Sequence, residues 1–150
     1  MYLHNGFIKN YCTHCRSLLE ARLDPEFGAS IQGNTDSECL FALFRQLLAE
    51  EPDLPLEAVL EGLFEQLEEW AGQQEALLNI VITDGQRLYA ARHAFNHDCP
   101  SLYYITDDES FPGAQLIASE PLTQADFWQP VPEHHILILD PEQPPELIPL

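Results

Sequence analysis

The spacing of apolar positions changes near residue 76. Before it, apolar residues recur every three or four positions. Ile8, Cys12, Cys15 and Leu19 predict an amphipathic helix over "FIKNYCTHCRSLLEARL". "DPEFG" then interrupts it, with Pro25 and Gly28 as breakers. A second helix follows in "TDSECLFALFRQLLAEE", striped by Leu40, Leu43, Phe44, Leu47 and Leu48. Thr35 and Glu38 have the T-x-x-E spacing of a capping box at its start. A third helix opens near Pro55, with Leu56, Val59, Leu60, Leu63, Leu67 and Trp70 on one face. Ahead of all three, His4-Asn5-Gly6 reads as a polar corner at the end of a very short apolar approach.

From residue 76 the pattern is that of strands. "ALLNIVIT" is a continuous apolar run, "DG" follows, and "QRLYAARHA" is a second run. Asp-Gly between two such runs predicts a hairpin, because its turn needs positive φ. "SLYYIT", "AQLIAS", "HHILILD" and "ELIPL" are further strands, punctuated by prolines. Helices first and strands afterwards, without βαβ alternation, predict an α+β fold with antiparallel sheets. No linker or repeat divides the chain, so residues 1–150 are expected to form a single domain.

Charge narrows the partners. Six Lys and Arg against 25 Asp and Glu give a net charge of −19, which repels phosphate backbones and anionic membranes. Neither a nucleic acid nor a membrane is an expected partner. No run of about 18 apolar residues is present, and no signal-peptide pattern opens the chain. A cytoplasmic location is expected, where the four cysteines stay reduced.

Two motifs could carry chemistry. In "HNG", a side-chain amide beside a glycine N–H offers two donors to a developing oxyanion. In "GNTDSE", Asp36 at the mouth of a helix could hold a substrate ammonium by a charge-assisted hydrogen bond. Each has a plain structural reading as well. Asn-Gly is a common turn, and an acid at a helix N-terminus is favoured by the helix dipole. Thr35 and Glu38 are fully explained by capping. Tyr103, Tyr104, Phe127 and Trp128 default to core or rim packing. Asn79 breaks an apolar strand and must be hydrogen-bonded if buried; it either orients a site wall or satisfies backbone.

In this order, "HNGFI" and "GNTDSE" resemble the class II glutamine amidotransferase family, whose glutaminase domains use an N-terminal cysteine nucleophile. The resemblance continues through "LNIVITDGQRLYAARHA", "SLYY", "FPGAQLIASEPLT" and "VPEHHILILD". These later segments are most similar to stand-alone members, such as the γ-glutamyl amidase of ergothioneine biosynthesis. The resemblance implies a four-layer α-β-β-α sandwich, present in part. It assigns Asn5, through its side-chain amide, and Gly6, through its backbone N–H, to an oxyanion hole. It assigns Asp36 to the α-ammonium of glutamine or a γ-glutamyl substrate, with Gly6 near the same group. His4 supports the loop, and Ser37 and Glu38 are structural. Ser119-Glu120-Pro121 fits the pattern without a defined role. No metal or organic cofactor is needed.

The family places its cysteine directly after the initiator methionine, where removal of Met frees an α-amine to act as base. Residue 2 here is Tyr2. The arginine that holds the substrate α-carboxylate would fall before Met1. The resemblance therefore implies a C-terminal portion of such a domain, with an unpaired sheet edge that favours aggregation or homodimerisation. Cys12 and Cys15 fall on the first helix's apolar stripe, Cys39 on the second helix, and Cys99 in "NHDCPS". None shows a base and orienting group in the sequence. Two functions stand against each other. One is an amidohydrolase domain for glutamine or a γ-glutamyl amide whose nucleophile is missing, and so inactive by itself. The other is a non-catalytic glutamyl-binding or regulatory module.

Two further motifs carry metal-ligand residue types. "CTHC" is a C-x-x-C and "HAFNH" an H-x₃-H, but 77 residues lie between Cys15 and His93, which excludes a zinc finger. A zinc site assembled from separate segments stays open. His134 and His135 begin a strand and are assigned structural roles, since at most one can face inward.

Overall fold

The computed structural model describes Met1–Leu150, apart from the side chains of Ala71 and Ala125. It has eight strands and four α-helices in an α+β arrangement with antiparallel pairing. The strands are β1 Tyr2–Ile8, β2 Ala76–Thr83, β3 Leu88–Phe95, β4 Tyr103–Asp108, β5 Phe111–Ala118, β6 Gln129–Pro130, β7 His135–Leu139 and β8 Glu146–Pro149. The helices are α1 Arg16–Glu20, α2 Pro25–Gly28, α3 Asp36–Glu50 and α4 Leu56–Ala71. One sheet has the order β1-β2-β3-β7-β8 and the other β5-β4-β6. The chain divides into two compact units. The first comprises Met1–Asn5, Leu78–Ala94 and Asp98–Leu150, and the second Gly6–Leu77 and Phe95–His97.

The first unit is built on strand pairs whose inward residues form one core. Ala90, Leu102, Tyr104, Val131, Leu137 and Leu139 are buried together, with Val81, Leu88 and Ile117 against them. β3 and β7 pair in a register that sets Ala90 opposite Leu137 and Arg92 opposite His135. Gly85 sits at φ 99° in the β2–β3 loop, as the Asp-Gly signal required. The Asp84 carboxylate accepts the N–H groups of Gln86 and Arg87, both at 2.8 Å, and closes the loop. Asn79 is a backbone-satisfying residue: its Nδ2 donates to the Ser101 carbonyl at 2.8 Å. Replacing it by alanine strands that carbonyl and is expected to cost about 1–3 kcal/mol in chemical unfolding. An unchanged urea midpoint would show that Ser101 has another partner. Of the four aromatic residues singled out, Tyr104 and Trp128 are buried and Phe127 is exposed.

The second unit is helical. α3 and α4 bury Leu40, Leu43 and Phe44 on one and Val59, Leu60, Leu63 and Leu67 on the other. The expected stripes are therefore in place, with Leu47 and Leu48 only half-buried. Gln46 is buried in α3 and fully used, accepting from the Asp24 N–H and donating to the Arg22 carbonyl and Glu50. Pro25 opens the short α2 at its first position, where its missing N–H costs nothing.

The stretch read as one helix over residues 7–23 is corrected. Ile8 ends β1, Asn10 turns at φ 56°, and Tyr11–Cys15 form a π-helical turn before α1. The wider turn rotates the buried face, so Tyr11, Cys15 and Leu19 point inward. Cys12 is exposed rather than on the apolar stripe.

Candidate functional site

His4, Asn5 and Gly6 lie inside β1, not at a corner after it. The strand pairs from the first residue. The Met1 ammonium donates to the Thr83 carbonyl at 2.9 Å, and the Thr83 N–H donates back to Met1 at 3.0 Å. At the far end the Lys9 N–H donates to the Glu75 carbonyl at 2.9 Å. Both contacts belong to one register, which places the N–H groups of odd-numbered residues toward β2. Alternation then turns those of Gly6 and Ile8 away from β2, to the outer edge of the strand. Asn5 and Gly6 are both exposed there.

Asp36 meets that edge. Its Oδ2 accepts the Ile8 N–H at 2.7 Å, two residues along from Gly6. Its Oδ1 accepts the Ser37 N–H at 2.7 Å and the Ser37 hydroxyl at 3.3 Å. As the first residue of α3, its charge sits at the positive end of the helix dipole. Asp36 and the Gly6 edge are thus brought together within the second unit, and Asn5 is the preceding residue of the same strand.

The rest of "GNTDSE" holds Asp36 in place. Thr35 caps α3, accepting the Glu38 N–H at 3.3 Å. Glu38 reaches back, taking the Thr35 hydroxyl at 3.1 Å and the Gly33 N–H at 3.0 Å. A Cβ at position 33 would run into the Glu38 carboxylate, so glycine lets the loop close onto it. The capping box is therefore wider than its usual form, clamping the approach to the helix as well as its first turn. The backbone N–H of Gly33 is the main cause that holds the Glu38 carboxyl below the ordinary value of 4.5. A depressed carboxyl stabilises the fold above its unfolded-state value and loses that contribution as pH falls through its folded value. The stability gap between the parent and Glu38→Gln is thus expected near neutrality and should close progressively below pH 4.5. Thermal scans across pH would reject this if the gap were constant.

The four cysteines are free thiols. Cys15 and Cys39 are buried, and burial pushes both thiols up. Cys12 Sγ lies 3.9 Å from the Asn34 carbonyl oxygen. Cys99 differs. Its Sγ lies 3.8 Å from His134 Nε2, and His134 Nδ1 lies 3.1 Å from His93 Nδ1. A base and an orienting group do surround one cysteine, a grouping that sequence spacing does not show. It depends on the β3–β7 register, which ends with Arg92 opposite His135 and leaves His93 and His134 just beyond it in ring contact. Burial nonetheless raises the Cys99 thiol, which leaves it a poor nucleophile at neutral pH. His134 precedes β7 at φ 55°, so only His135 of the pair belongs to the strand.

Among the described residues, no helix is long and apolar enough to cross a membrane. No family model matches the chain. The yeast protein "Probable glutamine amidotransferase DUG3" of Saccharomyces cerevisiae is 29% identical over 92% of this chain and 49% of its own length. The chain thus spans about half of that curated relative. A class II glutamine aminotransferase domain protein from Silicibacter pomeroyi superposes with a TM-score of 0.73 at 24% identity, covering 99% of this chain and 66% of that one. A structure described as a predicted glutamine amidotransferase from Pseudomonas aeruginosa gives 0.58 at 20% identity, over 95% and 58% of the two chains. The glutamine phosphoribosylpyrophosphate amidotransferase of B. subtilis gives 0.65 at 15% identity, over 97% and 28%. With an α+β architecture, antiparallel sheets and these superpositions, the chain has a fold of the class II glutamine amidotransferase type.

Proposed function

We propose that the chain is a class II glutamine amidotransferase-type domain that binds glutamine or a γ-glutamyl amide along the outer edge of β1. The observation that carries this reading is the Asp36 carboxylate on the Ile8 N–H, two residues from Gly6. Two residues of strand span about 7 Å. That matches the scale of an extended glutamine, five bonds from its α-nitrogen to its δ-oxygen. An α-ammonium on Asp36 would then set the amide carbonyl toward Gly6 and Asn5.

The chemistry follows from that placement. A thiolate attacks the δ-carbon and forms a C–S bond, and the carbonyl π electrons move onto oxygen. The Gly6 N–H and the Asn5 amide stabilise this oxyanion. Its collapse expels the nitrogen as ammonia or an amine once protonated, and water hydrolyses the thioester to the free acid. Cys15 and Cys39 are buried, burial raises the Cys99 thiol, and Cys12 lies against the Asn34 carbonyl rather than a base, so none of the four is suited to be that thiolate. The 150 residues alone are therefore expected to bind without turnover. The four free thiols agree with a cytoplasmic setting.

Calorimetry with L-glutamine, L-glutamate and 4-carbamoylbutyrate, which lacks the α-amine, tests the binding mode. Affinity for the amino acids and a loss of about tenfold or more without the amine are expected. Equal affinity for all three ligands would overturn the assignment of Asp36, and release of ammonia would overturn the expected inactivity. The glutamyl-binding module is the second reading. It predicts the same affinities, and it would gain if a cysteine-bearing version of the domain also failed to hydrolyse glutamine.

A further inference from the structure

We propose that Cys99, Glu133 and His134 form a binding site for one divalent cation of the zinc class, with His93 positioning His134. The three donor groups each offer an atom within 4.8 Å of the other two. Zinc bonds of about 2.3 Å to sulfur and about 2.0–2.1 Å to nitrogen, at tetrahedral angles, require an S···N separation of about 3.6 Å. The Cys99 Sγ lies 3.8 Å from His134 Nε2 and 3.9 Å from Nδ1, so the separation suits an ion once the imidazole turns to aim Nε2 at it. One thiolate, one imidazole and one carboxylate suit a borderline cation and leave a fourth position for water.

The surrounding residues supply what such a site needs. The two ring nitrogens lie 3.1 Å apart and the rings meet edge to face, so one proton held between them ties His134 to His93. With Nδ1 donating to His93, Nε2 keeps its lone pair for an ion, and Cys99 Sγ lies 3.8 Å from Nε2 and 3.9 Å from Nδ1. A ligating histidine that gives its other N–H to an acceptor is the usual supporting arrangement around zinc. Arg92 fixes the two loops that converge here. Its guanidinium donates to the Pro100 carbonyl at 2.6 Å and the Val131 carbonyl at 2.7 Å, one residue after Cys99 and two before Glu133 respectively. Its contact with one Glu133 oxygen is longer, 3.4 Å, and leaves the second oxygen available. His134 itself is held in the left-handed region at φ 55°, a conformation that persists where the surroundings dictate it. All of these residues lie in the first compact unit, so the site stands independently of the glutamyl-binding reading.

Cobalt(II) titration of the full chain, followed by displacement with zinc(II), tests the site. The expected result is one ion per chain with a thiolate-to-cobalt charge-transfer band that zinc abolishes. Cys99→Ser should remove the band, and Cys12→Ser should leave it. His93→Phe should weaken binding by about 10–100-fold while keeping the band at saturation. Alkylation of the unsubstituted chain gives a second readout that no misfolding can confuse. Zinc should slow modification of Cys99 and leave exposed Cys12 unaffected. A missing band, a band that survives Cys99→Ser, or equal alkylation rates with and without zinc would overturn the proposal.

Discussion

Asp36→Asn is expected to leave the chain folded and to weaken glutamine binding by about 10–100-fold, the worth of a charge-assisted hydrogen bond of about 1.5–3 kcal/mol. The carboxylate serves two masters in the unliganded chain, the Ile8 N–H on one oxygen and Ser37 on the other. Asparagine has one acceptor oxygen and can serve only one of them. The loss of the other should cost about 1 kcal/mol, or a fall in midpoint of roughly 2–4 °C for a chain of this size. Asp36→Ala loses both, and its midpoint should fall about twice as far. The comparison separates the two roles. If Asp36 only fastens α3 to β1, affinity for glutamine should track stability across the two variants. If it also holds an ammonium, Asp36→Asn should lose nearly all the affinity that Asp36→Ala loses, at half the cost in stability. Calorimetry and thermal unfolding on both variants decide between these outcomes.

Much of this site is written locally in the sequence. The T-x-x-E spacing anticipates the cap of α3, and the apolar stripes of α3 and α4 match their buried faces because 3.6-residue periodicity reports burial directly. The strand runs around Asp84-Gly85 are legible because each is a short apolar run and Asp-Gly supplies the turn between them. What escapes is set by geometry that local periodicity cannot encode. A helix-like spacing joins Ile8 to Leu19, yet the left-handed Asn10 and the π-turn after it place Ile8 in a strand and Cys12 in solvent. Gly33 looks like a plain turn glycine until the Glu38 carboxylate is seen lying over it. The grouping of Cys99, Glu133 and His134 is further from view. Its members are brought together by a β3–β7 register and by an arginine that ties two loops, and neither leaves a pattern within one segment.

Leu137→Ala should produce the largest loss of stability, about 2–5 kcal/mol, read as a fall in midpoint of roughly 5–20 °C. Leu137 is fully buried in β7, opposite Ala90 on β3, and small partners such as Ala90 and Val131 cannot expand into the space it would vacate. Leu147, ten residues on in β8, has the same hydropathy but is 41% exposed, and Leu147→Ala should change stability by no more than about 0.5 kcal/mol. Equal effects at the two positions would contradict the burial pattern. The same variant bears on the cation site, because His134 lies three residues before Leu137 at the entrance to β7. An ion that binds only the folded chain adds about 2.7 kcal/mol at one hundred times its dissociation constant. Zinc at that concentration should therefore return much of the midpoint lost by Leu137→Ala, and none of it when Cys99→Ser is also present. Recovery in the double variant would place the bound zinc elsewhere on the chain, whereas its absence would tie the fold of β7 to the thiol of Cys99.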